Sequence, residues 1–91
     1  MIAMFPLGRI VATPGALQAL ERANQSAAFF PARHAGGDWD ELDQKDVREN
    51  EYSVAHSFRL LSNYTTGAGE KLWVITEADR SSTTLLLPDE Y

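Results

Sequence analysis

The side chains that could do chemistry fall into two groups. His34 and Asp38 stand four residues apart with Trp39 next. A neutral imidazole beside a carboxylate can act as a general base or hold a divalent metal. Gly36 and Gly37 lie between them, so the spacing alone does not put both on one helix face. The structural alternative has Asp38 fixing a turn through nearby backbone while His34 seals a helix end. His56 would complete a catalytic or metal-binding set, but two histidines without a spaced ligand motif are a weak signal. No catalytic residue is assigned outright. His34, Asp38 and His56 are the candidates for a small hydrolase or nuclease.

The second group is Glu77, Asp79 and Arg80, at the end of a strand-like run and in the turn after it. Arg80 could clamp a phosphate or carboxylate, with Ser81, Ser82 or Thr83 adding donors and Arg59 a second cation. Arg59, Glu77, Asp79 and Arg80 are therefore the ligand-binding candidates. Ordinary turn chemistry is the competing account, with Asp79 capping the turn and Arg80 pairing with Glu77 or a helix acid. The chain has no cysteine, which excludes disulfides, thiolate metal sites and a cysteine nucleophile. No serine sits in a strand–turn–helix elbow. Neither a cofactor nor a metal is called for.

These residues must be positioned by one small core, because 91 residues are too few for two. Thr13 is a good N-cap and Pro14 suits the first helical position, so a helix is predicted over 14–23. A second helix opens near Ser26 and Ala27 and closes at Gly36-Gly37, with Pro31 awkwardly inside it. Asp43, with Asp46 three residues on, resembles a capping box for a third helix. Val47, Val54 and Ala55 are its inner face, and Asp46, Glu49 and Asn50 point elsewhere. From Phe58 the period changes to that of strands: 58–65, 71–77 and 82–87, joined by a Gly-containing loop and a turn at 78–81. Tyr64 and Trp73 fall in adjacent strands, and Trp73 shares a face with Ile75, which suits core packing or an oligomer contact. The run Arg9–Thr13 can add a fourth strand. The predicted fold class is α+β, with N-terminal helices packed on a three- to four-stranded antiparallel β-meander in a single domain, 1–91.

Charge narrows the partners. Net charge is −5, and Asp38–Glu51 carries all of it: seven carboxylates, Asp40 among them, against Lys45 and Arg48. A chain without a basic footprint is not expected to bind nucleic acid directly. An acidic nucleic-acid mimic needs charge spread along a duplex-like path, which this short segment supplies only in an oligomer. The apolar start, Met1–Leu7, carries no basic n-region and is broken by Pro6 and Gly8, so it reads as neither a signal peptide nor a membrane span and the cytoplasm is the expected compartment.

Three stretches carry a resemblance: Gly8–Leu17 (GRIVATPGAL), Arg33-His34 with Gly37-Asp38-Trp39, and Ile75–Ser81 with Thr83-Thr84 and Leu86–Pro88 (ITEADRS, TT, LLP). Together they resemble a family of small bacterial proteins often carried on plasmids and other mobile elements, over most of the chain from Gly8 to Tyr91. Some members bear restriction–modification labels, yet this chain is too short for a methyltransferase domain and lacks its glycine loop. It departs from the family pattern at Asp40, where glycine usually follows Asp-Trp, and at Pro31. The resemblance and the small size imply a non-enzymatic binding or regulatory protein of a mobile element. It would sequester or modulate a host component, either a protein or a small anionic ligand. A toxin-like hydrolase or nuclease and an oligomeric structural protein are the alternatives, and a homo-oligomer is a further partnership the sequence admits.

Overall fold

The computed structural model describes residues 3–39 and 41–91, so Met1, Ile2 and Asp40 lie outside the described residues. Four strands, Arg9–Ala12 (β1), Leu60–Thr65 (β2), Lys71–Thr76 (β3) and Ser82–Leu86 (β4), form one sheet in the order β1-β4-β3-β2. Helices Pro14–Ala23 (α1), Phe29–Ala35 (α2) and Gln44–His56 (α3) precede β2 in the chain. The architecture is α+β. β2, β3 and β4 make the expected antiparallel meander, but β1 pairs with β4 in parallel, so the sheet is mixed. Such a parallel pair joins distant segments and needs a long crossover, here most of the chain.

Local chemistry sets the helix ends. Thr13 accepts a hydrogen bond from the Ala16 amide and Pro14 occupies the first turn of α1. Helix α2 starts at Phe29, later than the sequence suggests. Pro31 therefore falls in the first turn, where its missing N–H leaves nothing unpaired. Gly37, at φ +79°, closes α2: the Asp38 amide donates to Arg33 O (2.9 Å) and the Gly37 amide to His34 O (3.2 Å). This is a Schellman closure, which favours glycine at the left-handed position. Asp43 caps α3 through the Asp46 amide.

Period-two alternation divides the sheet's residues between two faces. Leu60, Ser62 and Tyr64, Leu72, Val74 and Thr76, and Thr83 and Leu85 are buried on one face. There Ala16, Leu20 and Phe30 pack with Tyr64, Leu72, Val74 and Leu85. A second cluster gathers Phe5, Ala35, Trp39, Leu42 and Leu60. Trp73 lies on the opposite face from Tyr64 and is paired in register with Asn63, so the two aromatics do not meet. Its contact is Tyr91, edge-on at 5.5 Å, brought over by the short 3₁₀ turn Pro88–Glu90.

The β2 edge is covered in part by side chains. Asn50 on α3 accepts from the Leu61 amide (3.2 Å) and donates to Leu61 O (2.8 Å), completing a two-way backbone-like pair. Further along, Glu41 accepts from the Thr65 amide (2.9 Å) and hydroxyl (2.8 Å). The sequence reading places Asn50 outward, yet it is buried and welds α3 to the sheet; Ala55, expected inward, is exposed.

Candidate functional site

His34 is fully buried, and both ring nitrogens are occupied. Nδ1 lies 2.5 Å from Ser62 Oγ and Nε2 lies 3.0 Å from Thr76 Oγ1. Thr76 Oγ1 is 2.7 Å from Thr83 Oγ1, which donates to Leu7 O at 2.7 Å. A carbonyl can only accept, and this fixes the direction of the whole chain. Thr83 donates to Leu7, Thr76 to Thr83, His34 Nε2–H to Thr76, and Ser62 to Nδ1. Histidine is the residue type that can accept at one ring nitrogen and donate at the other while neutral. Burial, and secondarily the charge of Arg80, lower its pKa from 6.5 to about 4. Phe5 packs edge-on against the ring at 5.1 Å.

Asp38 is paired elsewhere. Its carboxylate meets Arg33 Nε at 2.7 Å, and the Arg33 guanidinium lies 4.6 Å from the centre of the Tyr64 ring. The Asp38 carbonyl accepts from Tyr64 Oη (2.8 Å), and Trp39 Nε1 donates to His34 O (2.9 Å). The segment 33–39 thus ties the end of α2 to β2. The structure does not bring His34 and Asp38 together as a base and its carboxylate. His56 lies on the exposed side of α3 with its ring 4.0 Å from that of Tyr52. Among the described residues no group of three or more His, Asp or Glu side chains is placed to hold a metal.

Arg80 is a fastener. Nη1 donates to Phe58 O (2.7 Å), Glu77 O (3.2 Å) and Ala78 O (3.2 Å), and Nη2 donates to Ser53 O (2.9 Å). Ser53 O, which also accepts from the Ser57 and Phe58 amides, lies in the last turn of α3, and Phe58 O lies just past the helix, where a cation suits the dipole. Arg80 reaches that place from the β3–β4 turn. Asp79 accepts from the Ser81 amide (2.9 Å), and its bonds to Ser81 hold its carboxyl below the usual range. Glu77 contributes backbone: its amide donates to Ser82 O and its carbonyl accepts from the Arg80 amide. Arg59 bonds the Tyr91 hydroxyl, its guanidinium 5.6 Å from that ring's centre. Arg59 also borders a cleft of about 310 Å³ between α3 and β2, shared with Asp46, Glu49, Asn50, Ser53 and Leu61.

The strongest surface feature lies beside that cleft. Tyr52 on α3 is 58% exposed and Phe58, just past its end, is 53% exposed. Their rings stack at 5.8 Å with planes 8° apart. With Lys45, Arg48, Glu49 and Ser53 they line an open groove of about 440 Å³. Lys45 and Arg48 face no carboxylate at ion-pair distance among the described residues. Sequence reasoning missed this group because Phe58 reads as the start of a strand. The usable signal was Tyr52, an aromatic on the side of α3 away from Val47 and Val54.

Comparison with protein-family models, curated proteins and solved structures finds no match to this chain. Among the described residues no helix is long and apolar enough to cross a membrane.

Proposed function

We propose that the protein is a small binding protein without a catalytic step, and that the outer face of α3 contacts its partner. The observation that carries this reading is the stacked, solvent-facing Tyr52–Phe58 pair beside Lys45 and Arg48, which have no ion-pair partner among the described residues. Isolated exposed aromatics are ordinary, whereas aromatics clustered beside unpaired cations are typical of contact surfaces. The partner that fits is a protein segment laying an apolar side chain on the two rings and a carboxylate against Lys45 or Arg48. Modulation of a host component by a mobile element is consistent with such a surface. A small anionic ligand at Arg80 has less support, since that guanidinium already faces carbonyl oxygens. A hydrolase built on His34 has less again, because its imidazole is buried and bonded at both nitrogens.

The test uses tagged wild-type protein and a Tyr52→Ser/Phe58→Ser variant, each recovered from the native host and compared by quantitative mass spectrometry. The captured partner is then titrated calorimetrically against both. Loss of two central aromatics should weaken binding by about thirtyfold or more, the range of interface hot spots. Equal affinity for both forms would refute the assignment.

A further inference from the structure

The two edges of the sheet are treated differently. At β2 the outward Leu61 amide and carbonyl and the Thr65 amide are met by Asn50 and Glu41, near either end of the strand. At β1 nothing comparable is present among the described residues. The Arg9 amide donates to Ser81 O and the Thr13 amide to Leu85 O, both at 3.0 Å. In a parallel ladder, backbone groups alternate between the two sides of a strand. Arg9, Val11 and Thr13 therefore turn toward β4, and Ile10 and Ala12 present N–H and C=O to the outside. The strand is flanked by Ile10 (44% exposed) on the helix-bearing face and Val11 (37% exposed) on the other. It has no central charge, bulge or proline, the usual protections of an open edge.

The segment is also closed at both ends. Gly8 takes φ +64°, and a Cβ there would lie 2.3 Å from Arg80 O, so the chain leaves the sheet direction before Arg9. Beyond Thr13, Pro14 has no amide to give. Any strand added here must pair with Ile10 and Ala12.

We propose that two copies of the chain join through β1, antiparallel about a two-fold axis at Val11. In this register Ile10 of one copy faces Ala12 of the other, and about four backbone hydrogen bonds form reciprocally. The side chains match: Val11 meets its own copy on one face, and the large Ile10 meets the small Ala12 on the other. Charge is also compatible. Arg9 falls opposite Thr13 of the other copy, which keeps the two guanidinium-bearing residues about 13 Å apart along the strands. The acids of α3 sit at the β2 edge. Joining at β1 sends the two acidic segments to opposite ends of an eight-stranded sheet, about 30 Å apart and well beyond the Debye length. Pairing through the α3 side would instead oppose like charges.

The test is the mass in solution of the purified, full-length chain. A short edge contact is a weak one, so light scattering and sedimentation run from about 10 μM to about 1 mM. The expected result is a rise from 10.1 kDa toward twice that mass, with amide exchange at Ile10 and Ala12 slowing over the same range. Ile10→Pro removes an outward donor that β4 does not use, a position where edge strands tolerate proline. It should keep the single-chain mass with unchanged circular dichroism. Val11→Lys, which places like charges at the axis, should do the same. A wild-type chain that stays at single-chain mass up to about 1 mM overturns the proposal, including the case in which another protein's strand occupies this edge. So does a doubling of mass without slower exchange at Ile10 and Ala12, or one that persists in both variants.

Discussion

Lowering the pH should remove stability through His34 before the carboxylates respond. The imidazole is buried and bonded as the neutral form, with its pKa held at about 4 against 6.5 for an exposed histidine. The folded state therefore binds this proton more weakly than the unfolded chain. The contribution is fully present above pH 6.5 and is lost as pH falls toward 4 and below. Linkage across that interval gives a loss of about 2 kcal/mol at pH 5 and about 3 kcal/mol at pH 4. For a small domain with a total of roughly 5 kcal/mol this is most of the margin. Urea denaturation from pH 7.5 to 4 measures it, with His34→Gln as the control. Glutamine donates and accepts but does not titrate, so its curve should be flat between pH 6.5 and 5 even if its stability starts lower. Glu70, Glu90 and Asp79 also have lowered pKa values, but they begin from 4.5 or below and act later. A wild-type curve that is flat from pH 7 to 5, or a His34 ring signal titrating near 6.5, would refute the directed hydrogen-bond chain.

Three further outcomes follow from the packing. Asn50→Leu leaves the Leu61 amide and carbonyl without their partner and should cost about 2 kcal/mol in urea denaturation, with faster amide exchange at Leu61. Arg80→Ala removes the side-chain donor from Phe58 O and the tie from the β3–β4 turn to Ser53 O, and should cost about 2 kcal/mol, with loosening at the end of α3 visible in NMR chemical shifts. Gly37→Ala strains a left-handed position and sets a Cβ 2.5 Å from Met4 Sδ, so a loss of about 1–2 kcal/mol in thermal or urea unfolding is expected. Adding Met4→Ala should restore the steric part of that loss and leave the backbone part.

How much could be read in the residues depended on the range of the interaction. Thr13-Pro14 and Asp43 announce α1 and α3 because caps act within one turn, and the gain of β-branched and aromatic residues after Phe58 announces the meander. The direction of β1 could not be read in this way, since its partner β4 lies some seventy residues on and a four-residue run fits either orientation. The same limit hid the role of His34. Its spacing to Asp38 suggests a pair, but its partners are Ser62 and Thr76, 28 and 42 residues away. Arg80 and Asn50 were obscured for a related reason. Both bond to backbone, and a polar residue that serves a remote carbonyl looks in sequence like one that serves water or a ligand. Trp39, by contrast, follows the ordinary rule for a large aromatic, buried with its indole N–H on His34 O. The surface at Tyr52 and Phe58 comes from a left-handed Ser57 at the end of α3, which turns Phe58 back beside the helix.

The role of that surface is tested most directly by photo-crosslinking inside the native host. A benzophenone side chain in place of Tyr52 should yield a discrete adduct with one protein partner, suppressed by Phe58→Ser and absent when the probe sits at the exposed Glu21 of α1. If position 52 yields no adduct while position 21 does, the binding surface has been placed on the wrong face of the molecule.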